Sequence, residues 1–290
     1  MNTSEEFRDL AAATPAGRQA NVNGIQINYL DWPAGRESAP PVLMVHGLSA
    51  HAHTWDPIAR RLAADRRVIA IDLRGHGDSG WARDGYDVEK FVSDIDAVLT
   101  HLELRTVDYI GHSFGAQVGY AFAGAFPSRV RRIVLNDMGP EMASAAVGAT
   151  RATVGGADVK GFASEEAARE QFRAQYPDWE EVFVELHARH HVRCNWAGKY
   201  VLKSDPDLFW MLGSAGRKSI PYVWEMAARI KAPALLLRGT KSGVLNDELV
   251  GKISTAIPNI QVRDVDVGHY YPRERSDEFL ATVRSFLDAK

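Results

Sequence analysis

Short, uninterrupted apolar runs alternate with stretches in which apolar residues recur every three or four positions. Val42–Val45 and Val68–Ile71 are of the first kind and read as buried strands; Trp55–Ala64 and Val88–Leu102 are of the second and read as helices. The alternation continues through a strand Thr106–Ile110, a helix Ala116–Ala125 and a strand Val130–Leu135, then stops after Asp137. It resumes with Ala234–Leu237, a helix at Asp247–Ala256, a strand Val262–Val267 and a last helix Ser276–Leu287. Near the start, Arg18–Val22 and Ile25–Trp32 flank Asn23-Gly24, the pair that a tight hairpin favours. Before them, Thr3–Ala13 reads as a peripheral helix with Thr3 and Glu6 as a capping box. Apolar strands alternating with helices imply an α/β fold, a mostly parallel sheet covered on both faces, with ligands at the C-terminal strand ends. Residues 141–225 read as consecutive helical segments rich in Phe, Tyr, Trp, Arg and Glu. The expected division is therefore a core of 1–140 and 226–290 and a helical cap of 141–225.

Composition narrows the field. The chain has 290 residues, 46% hydrophobic and 24% charged, and can bury a large core. A net charge of −3 and the lack of a long basic stripe argue against a nucleic-acid partner. The acidic, polar N-terminus lacks the pattern of a signal peptide, and no apolar run approaches membrane-spanning length, so no membrane partner is expected. A single cysteine, Cys194, excludes an internal disulfide, and a cytoplasmic location is the expectation.

The densest chemical signal is Gly111-His112-Ser113-Phe114-Gly115, which fits the G-x-S-x-G nucleophile elbow between a strand and a helix. Ser113 is the candidate nucleophile and needs a base. His269, in Val-Gly-His-Tyr-Tyr-Pro just after a strand, is the base chosen from ten histidines. The acid is expected to be Asp137, which a strand delivers to the same edge, with Asp247 as the alternative acid or a helix cap. The backbone N–H groups of Leu48, in the turn His46-Gly47-Leu48-Ser49, and of Phe114 are the candidate oxyanion donors. Asp72 is expected to brace the turn Arg74-Gly75-His76-Gly77. Candidate pocket residues are His46, His112, Trp179, Phe183, His190 and Trp210. Of these, His46 is also expected to hydrogen-bond within its turn and His112 to point away from Ser113. His187, His190 and His191 invite a metal reading, but no HExxH frame exists and serine hydrolysis needs no metal, so no metal or cofactor is expected. In that reading His190 lies near the pocket and the other two are solvated. Arg151, Arg173, Arg189 and Arg193 could meet a substrate carboxylate, although each also fits a surface position.

Taken together, His46-Gly47, the Asp72–Ser79 turn, Gly111–Gly115, Asn136–Pro140 and Gly268-His269 resemble the α/β-hydrolase superfamily, in its order and over nearly the whole chain outside the cap. The resemblance implies an eight-stranded, mostly parallel sheet, a helical cap after strand 6, and a triad of Ser113, His269 and an acid. Most of the superfamily carries that acid after strand 7, where Ser242 stands here; some capped esterases, lactonases and amide hydrolases carry it after strand 6, which agrees with Asp137. The expected function is hydrolysis of a carboxylic ester or lactone through an acyl-enzyme, by a monomer or homodimer acting on a small molecule. C–C bond or amide hydrolysis on the same triad is the alternative, and a non-catalytic, ligand-binding receptor is the alternative of another class.

Overall fold

Eight strands form one sheet: β1 (Arg18–Val22), β2 (Ile25–Trp32), β3 (Val42–Val45), β4 (Val68–Ile71), β5 (Val107–His112), β6 (Val130–Asn136), β9 (Ala234–Gly239) and β10 (Ile260–Val265). The computed structural model describes residues 14–36, 39–148, 161–208 and 214–289. The expected helix Thr3–Ala13 lies outside them. Strand order is β1-β2-β4-β3-β5-β6-β9-β10, and only β2 runs against the rest. β3, β4 and β5 are buried at every position, as their apolar sequences require of parallel strands covered on both faces. α2 (Val88–His101), α3 (Phe114–Ala125), α6 (Ser214–Ala227) and α7 (Asp247–Ala256) form one layer on the sheet. α1 (Asp56–Leu62) and α8 (Ser276–Leu287) contribute to the other.

The insertion after β6 contains α4 (Glu165–Gln175) and α5 (Glu181–His191) with their own apolar cluster of Phe172, Trp179, Phe183 and Leu186. Consecutive helices were the expectation; between α5 and α6 the structure instead places a hairpin, β7 (Val192–Cys194) and β8 (Tyr200–Leu202), turned by Asn195 and the positive-φ Gly198. Asn195 Oδ1 accepts the N–H groups of Ala197 and Lys199 at 3.0 Å each, which favours the turn over helix. α6 runs through the expected boundary at 225/226. It packs on α3 so closely that a Cβ on Gly124 would stand 1.9 Å from the carbonyl oxygen of Met226, so the return to the core precedes residue 226. Asp72 braces its turn as expected: its carboxylate accepts N–H from Ala52 at 2.6 Å and Asp78 at 2.9 Å, and the Asn28 side chain at 2.8 Å. Among the described residues no helix is long and apolar enough to cross a membrane.

Candidate active site

The elbow between β5 and α3 is built by what its glycines lack. A Cβ on Gly115 would meet the Val45 carbonyl oxygen at 2.3 Å, and one on Gly111 would meet that of Gly115 at 2.5 Å. Ser113 itself holds φ 53° and ψ −121°, a conformation costly for a residue with a side chain. Its N–H donates to the Asn136 carbonyl at 2.9 Å, tying the elbow to the end of β6.

Ser113 Oγ lies 2.8 Å from His269 Nε2, and His269 Nδ1 lies 2.7 Å from Asp137 Oδ2. Asp137 is fully buried, and its second oxygen accepts the Gly239 N–H at 2.8 Å. Its own N–H donates to Leu237 at 2.8 Å, so two bonds to β9 hold it despite its φ of 50°. An acceptor beside Nδ1 fixes the imidazole tautomer with Nε2 open toward the serine. Asp247 has no part in this: its side chain is 94% exposed and pairs with Arg238 at 2.6 Å. Nor does it cap its helix, since Asn246 Oδ1 accepts the Leu249 N–H at 2.9 Å.

Glu274, which the sequence reading passed over, clamps the His269 loop. Its carboxylate accepts the N–H groups of Gly268 at 2.8 Å and Tyr270 at 2.9 Å, one on either side of the imidazole. Phe114 opens α3, so its N–H is one of the helix-end amides without an intrahelical acceptor, and Leu48 borders the same cavity as Ser113.

That cavity holds about 240 Å³ and lies between the core loop Gly47–Ala50, the cap and the loop of His269. His112 lines it, and its Nδ1 meets the Asn136 amide at 2.8 Å while burial holds the ring neutral. The other expected pocket residues that the structure describes do not line it. His46 is locked into its turn, with Nδ1 2.8 Å from the Gly47 carbonyl and Nε2 accepting the Leu73 N–H at 3.0 Å. Burial lowers it to about 4. Trp179 stacks on Tyr176 at 4.0 Å, and Phe183 sits inside the cap's apolar cluster. His190 stacks on His53 at 3.6 Å, and Trp210 falls outside the described residues.

The histidines expected to be solvated are instead the ones that face the cavity: His187 and His191 are both buried and border it. With His51 their ring nitrogens lie within 4.8 Å of one another, close enough for three imidazoles to converge on a metal ion. Burial lowers all three below the usual histidine range. The charge of Arg273 acts in the same direction on His187 and His191, and it would repel a dication there. Arg273, four residues after His269, also borders the cavity and was missed in the sequence. Of the arginines considered for a carboxylate, Arg151 is outside the described residues and the others lie elsewhere: Arg173 pairs with Glu181, Arg193 lies over Trp81, and Arg189 is exposed.

Residues 40–272 match the alpha/beta hydrolase fold family. The chain belongs to the α/β-hydrolase family. Among curated relatives, it is 29% identical to the 3-hydroxybutyrate-oligomer hydrolase of Cupriavidus necator, an alignment covering 93% of each. It is 25% identical to the 2-(acetamidomethylene)succinate hydrolase of Mesorhizobium japonicum over 97% of this chain and 98% of that one. A crystal structure of E-2-(acetamidomethylene)succinate hydrolase superposes with a TM-score of 0.84 at 22% identity, covering 94% of this chain and 99% of the other, a likeness of fold.

Proposed function

We propose that this α/β-hydrolase is a serine esterase or lactonase that works through an acyl-enzyme. The observation that carries the reading is the continuous relay from Ser113 Oγ through His269 to Asp137, with contacts of 2.8 and 2.7 Å, and Ser113 and His269 both line one cavity. In the reaction His269 Nε2 takes the Ser113 proton as Oγ attacks the ester carbonyl carbon. The N–H groups of Leu48 and Phe114 hold the oxyanion that forms. Protonated His269, its Nδ1–H held by Asp137, then gives its proton to the departing alcohol oxygen, leaving the acyl group on Ser113. Water, deprotonated by the same Nε2, attacks the acyl carbonyl; Ser113 regains its proton and the carboxylic acid leaves. The C. necator relative is named for hydrolysis of a 3-hydroxybutyrate oligomer, and hydroxy acids joined hydroxyl to carboxyl are esters, which supports this assignment. The acetamido compound named for the M. japonicum relative supports a second reading, amide hydrolysis by the same steps with an amine departing.

The test is turnover of a panel of p-nitrophenyl esters of increasing acyl length, lactones and simple amides, by the wild type and Ser113→Ala side by side. Ester or lactone turnover is expected in the wild type, with a loss of at least about 10³-fold in the variant. Undiminished activity in Ser113→Ala overturns the nucleophile. Turnover confined to amides selects the second reading.

A further inference from the structure

Three arginine side chains are buried among the described residues: Arg66, Arg74 and Arg273. Arg66 pairs with Asp65 and Asp288, and Arg74 with Asp94 and Asp84. Arg273, 5% exposed, pairs with no carboxylate among the described residues. Its guanidinium lies 4.3 Å from the Trp179 ring centre and 5.1 Å from that of Tyr270. Ring faces attract a cation and return part of its lost hydration, but they accept none of its five N–H groups in the manner of a carboxylate. A buried cation without an anion is costly, and structures keep one where something else supplies the charge. Burial lowers Arg273 only to about 10, so it stays charged at neutral pH.

The place of this cation decides what that something is. Arg273 borders the same cavity as Ser113 and His269, and no Asp or Glu lines that cavity among the described residues. Asp137, the nearest acid of the relay, is already committed to His269 and the Gly239 N–H. The imidazoles that share the cavity lining, His187 and His191, are held neutral and offer hydrogen bonds without charge. Among the described residues the cavity is thus lined by one fixed positive charge, Arg273, and by no carboxylate.

We propose that Arg273 seats a free carboxylate of the substrate, so that the bond cleaved at Ser113 belongs to a small molecule that is already an organic acid. This rests on the reading of Ser113 as nucleophile. A planar guanidinium matches a carboxylate through two parallel N–H···O bonds, which fixes the orientation of the molecule as well as its affinity. At about 240 Å³ the cavity suits a short half-ester rather than a fatty acyl chain.

Two substrate pairs test this: monoethyl succinate against ethyl succinamate, and O-acetylglycolate against O-acetylglycolamide. Each pair exchanges a carboxylate for a neutral amide, on the acyl side in the first and the alcohol side in the second. In the wild type kcat/KM for the acid of one pair should exceed that of its amide by about 10- to 100-fold, the range of a charge-assisted hydrogen-bonded contact. In Arg273→Gln that ratio should fall to about one, mostly through KM, and Arg273→Lys should restore part of it. Because Arg273 also packs on two rings, succinate binding to Ser113→Ala is measured by calorimetry in parallel. That binding should exceed the binding of succinamide and disappear in Ser113→Ala/Arg273→Gln at unchanged Tm. Ratios near one for both pairs in the wild type, or equal binding of succinate and succinamide, overturn the proposal. Should Ser113→Ala keep its turnover while succinate binding still depends on Arg273, the nucleophile fails and the carboxylate seat stands.

Discussion

Asp137 does two jobs with two oxygens, one on His269 Nδ1 and one on the Gly239 N–H. Asn at this position can keep the geometry, but its NH₂ group turned toward Nδ1 would demand the wrong tautomer, with the proton on Nε2 where the serine proton must go. Asp137→Asn should therefore lower kcat by about 10⁴-fold with little change in KM. Asp247→Asn should change kcat less than about two-fold, because an exposed ion pair contributes little. Steady-state kinetics on the best ester of the panel check both, and a large loss at Asp247 with a small one at Asp137 would refute the assignment. Ser113, His269 and Asp137 could be picked out in the sequence because each ends or follows a strand beside glycine or in a tight loop, where local pattern carries the information. Arg273 could not, since Pro-Arg-Glu-Arg looks like any polar loop until the fold turns one arginine inward and leaves Arg275 to pair with Glu278 outside.

At the scale of elements the same contrast recurs. β3, β4 and β5 announce themselves because burial on both faces writes a run of apolar residues. The orientation of α5 does not: Val182, Phe183, Val184, Leu186 and Ala188 are all buried, so the apolar pattern does not single out one face. The roll of the helix against the His51–Trp55 turn decides that His187 and His191 meet the cavity while His190 meets His53. The hairpin of β7 and β8 is too short to leave a periodic trace. Helix against helix, the α3–α6 contact depends on one missing atom, since any side chain at Gly124 strikes the backbone of Met226. Gly124→Ala must push the helices apart, at about 1–3 kcal/mol. A drop in Tm of roughly 2–5 °C follows for a chain of this size, and calorimetry that shows no drop would mean the helices part at no cost.

Over the whole molecule, buried neutral imidazoles couple stability to acidity. His46 and His76, with ring centres 5.0 Å apart, are lowered from 6.5 to about 4 and about 3 by burial, helped by each other's charge at His76 and by Arg273 at His46. Unfolding releases both to bind protons near pH 6.5, so the unfolded chain binds more protons than the folded one below that pH. Stability is complete above about pH 6.5 and falls as the pH drops toward 4, with His46 alone accounting for about 3 kcal/mol. Urea midpoints at pH 7.5 and 4.5 check this; equal midpoints would mean the imidazoles are solvated or already charged in the folded state.

His269 and Arg273 sit four residues apart on one short stretch, and Glu274 fastens that stretch to itself at Gly268 and Tyr270. The proposed proton carrier and the proposed seat for the anion are thereby inherited as a single piece. Recombination that exchanges the segment from α4 through β8 between relatives would replace Phe172, His187, His191 and Leu202 in the cavity lining, and with them the bulk it admits. On the proposed role of Arg273, the preference for an acidic substrate would travel instead with the last fifty residues of the chain, and a lineage that turned to neutral substrates could do so by one codon change there, losing the contact with Trp179.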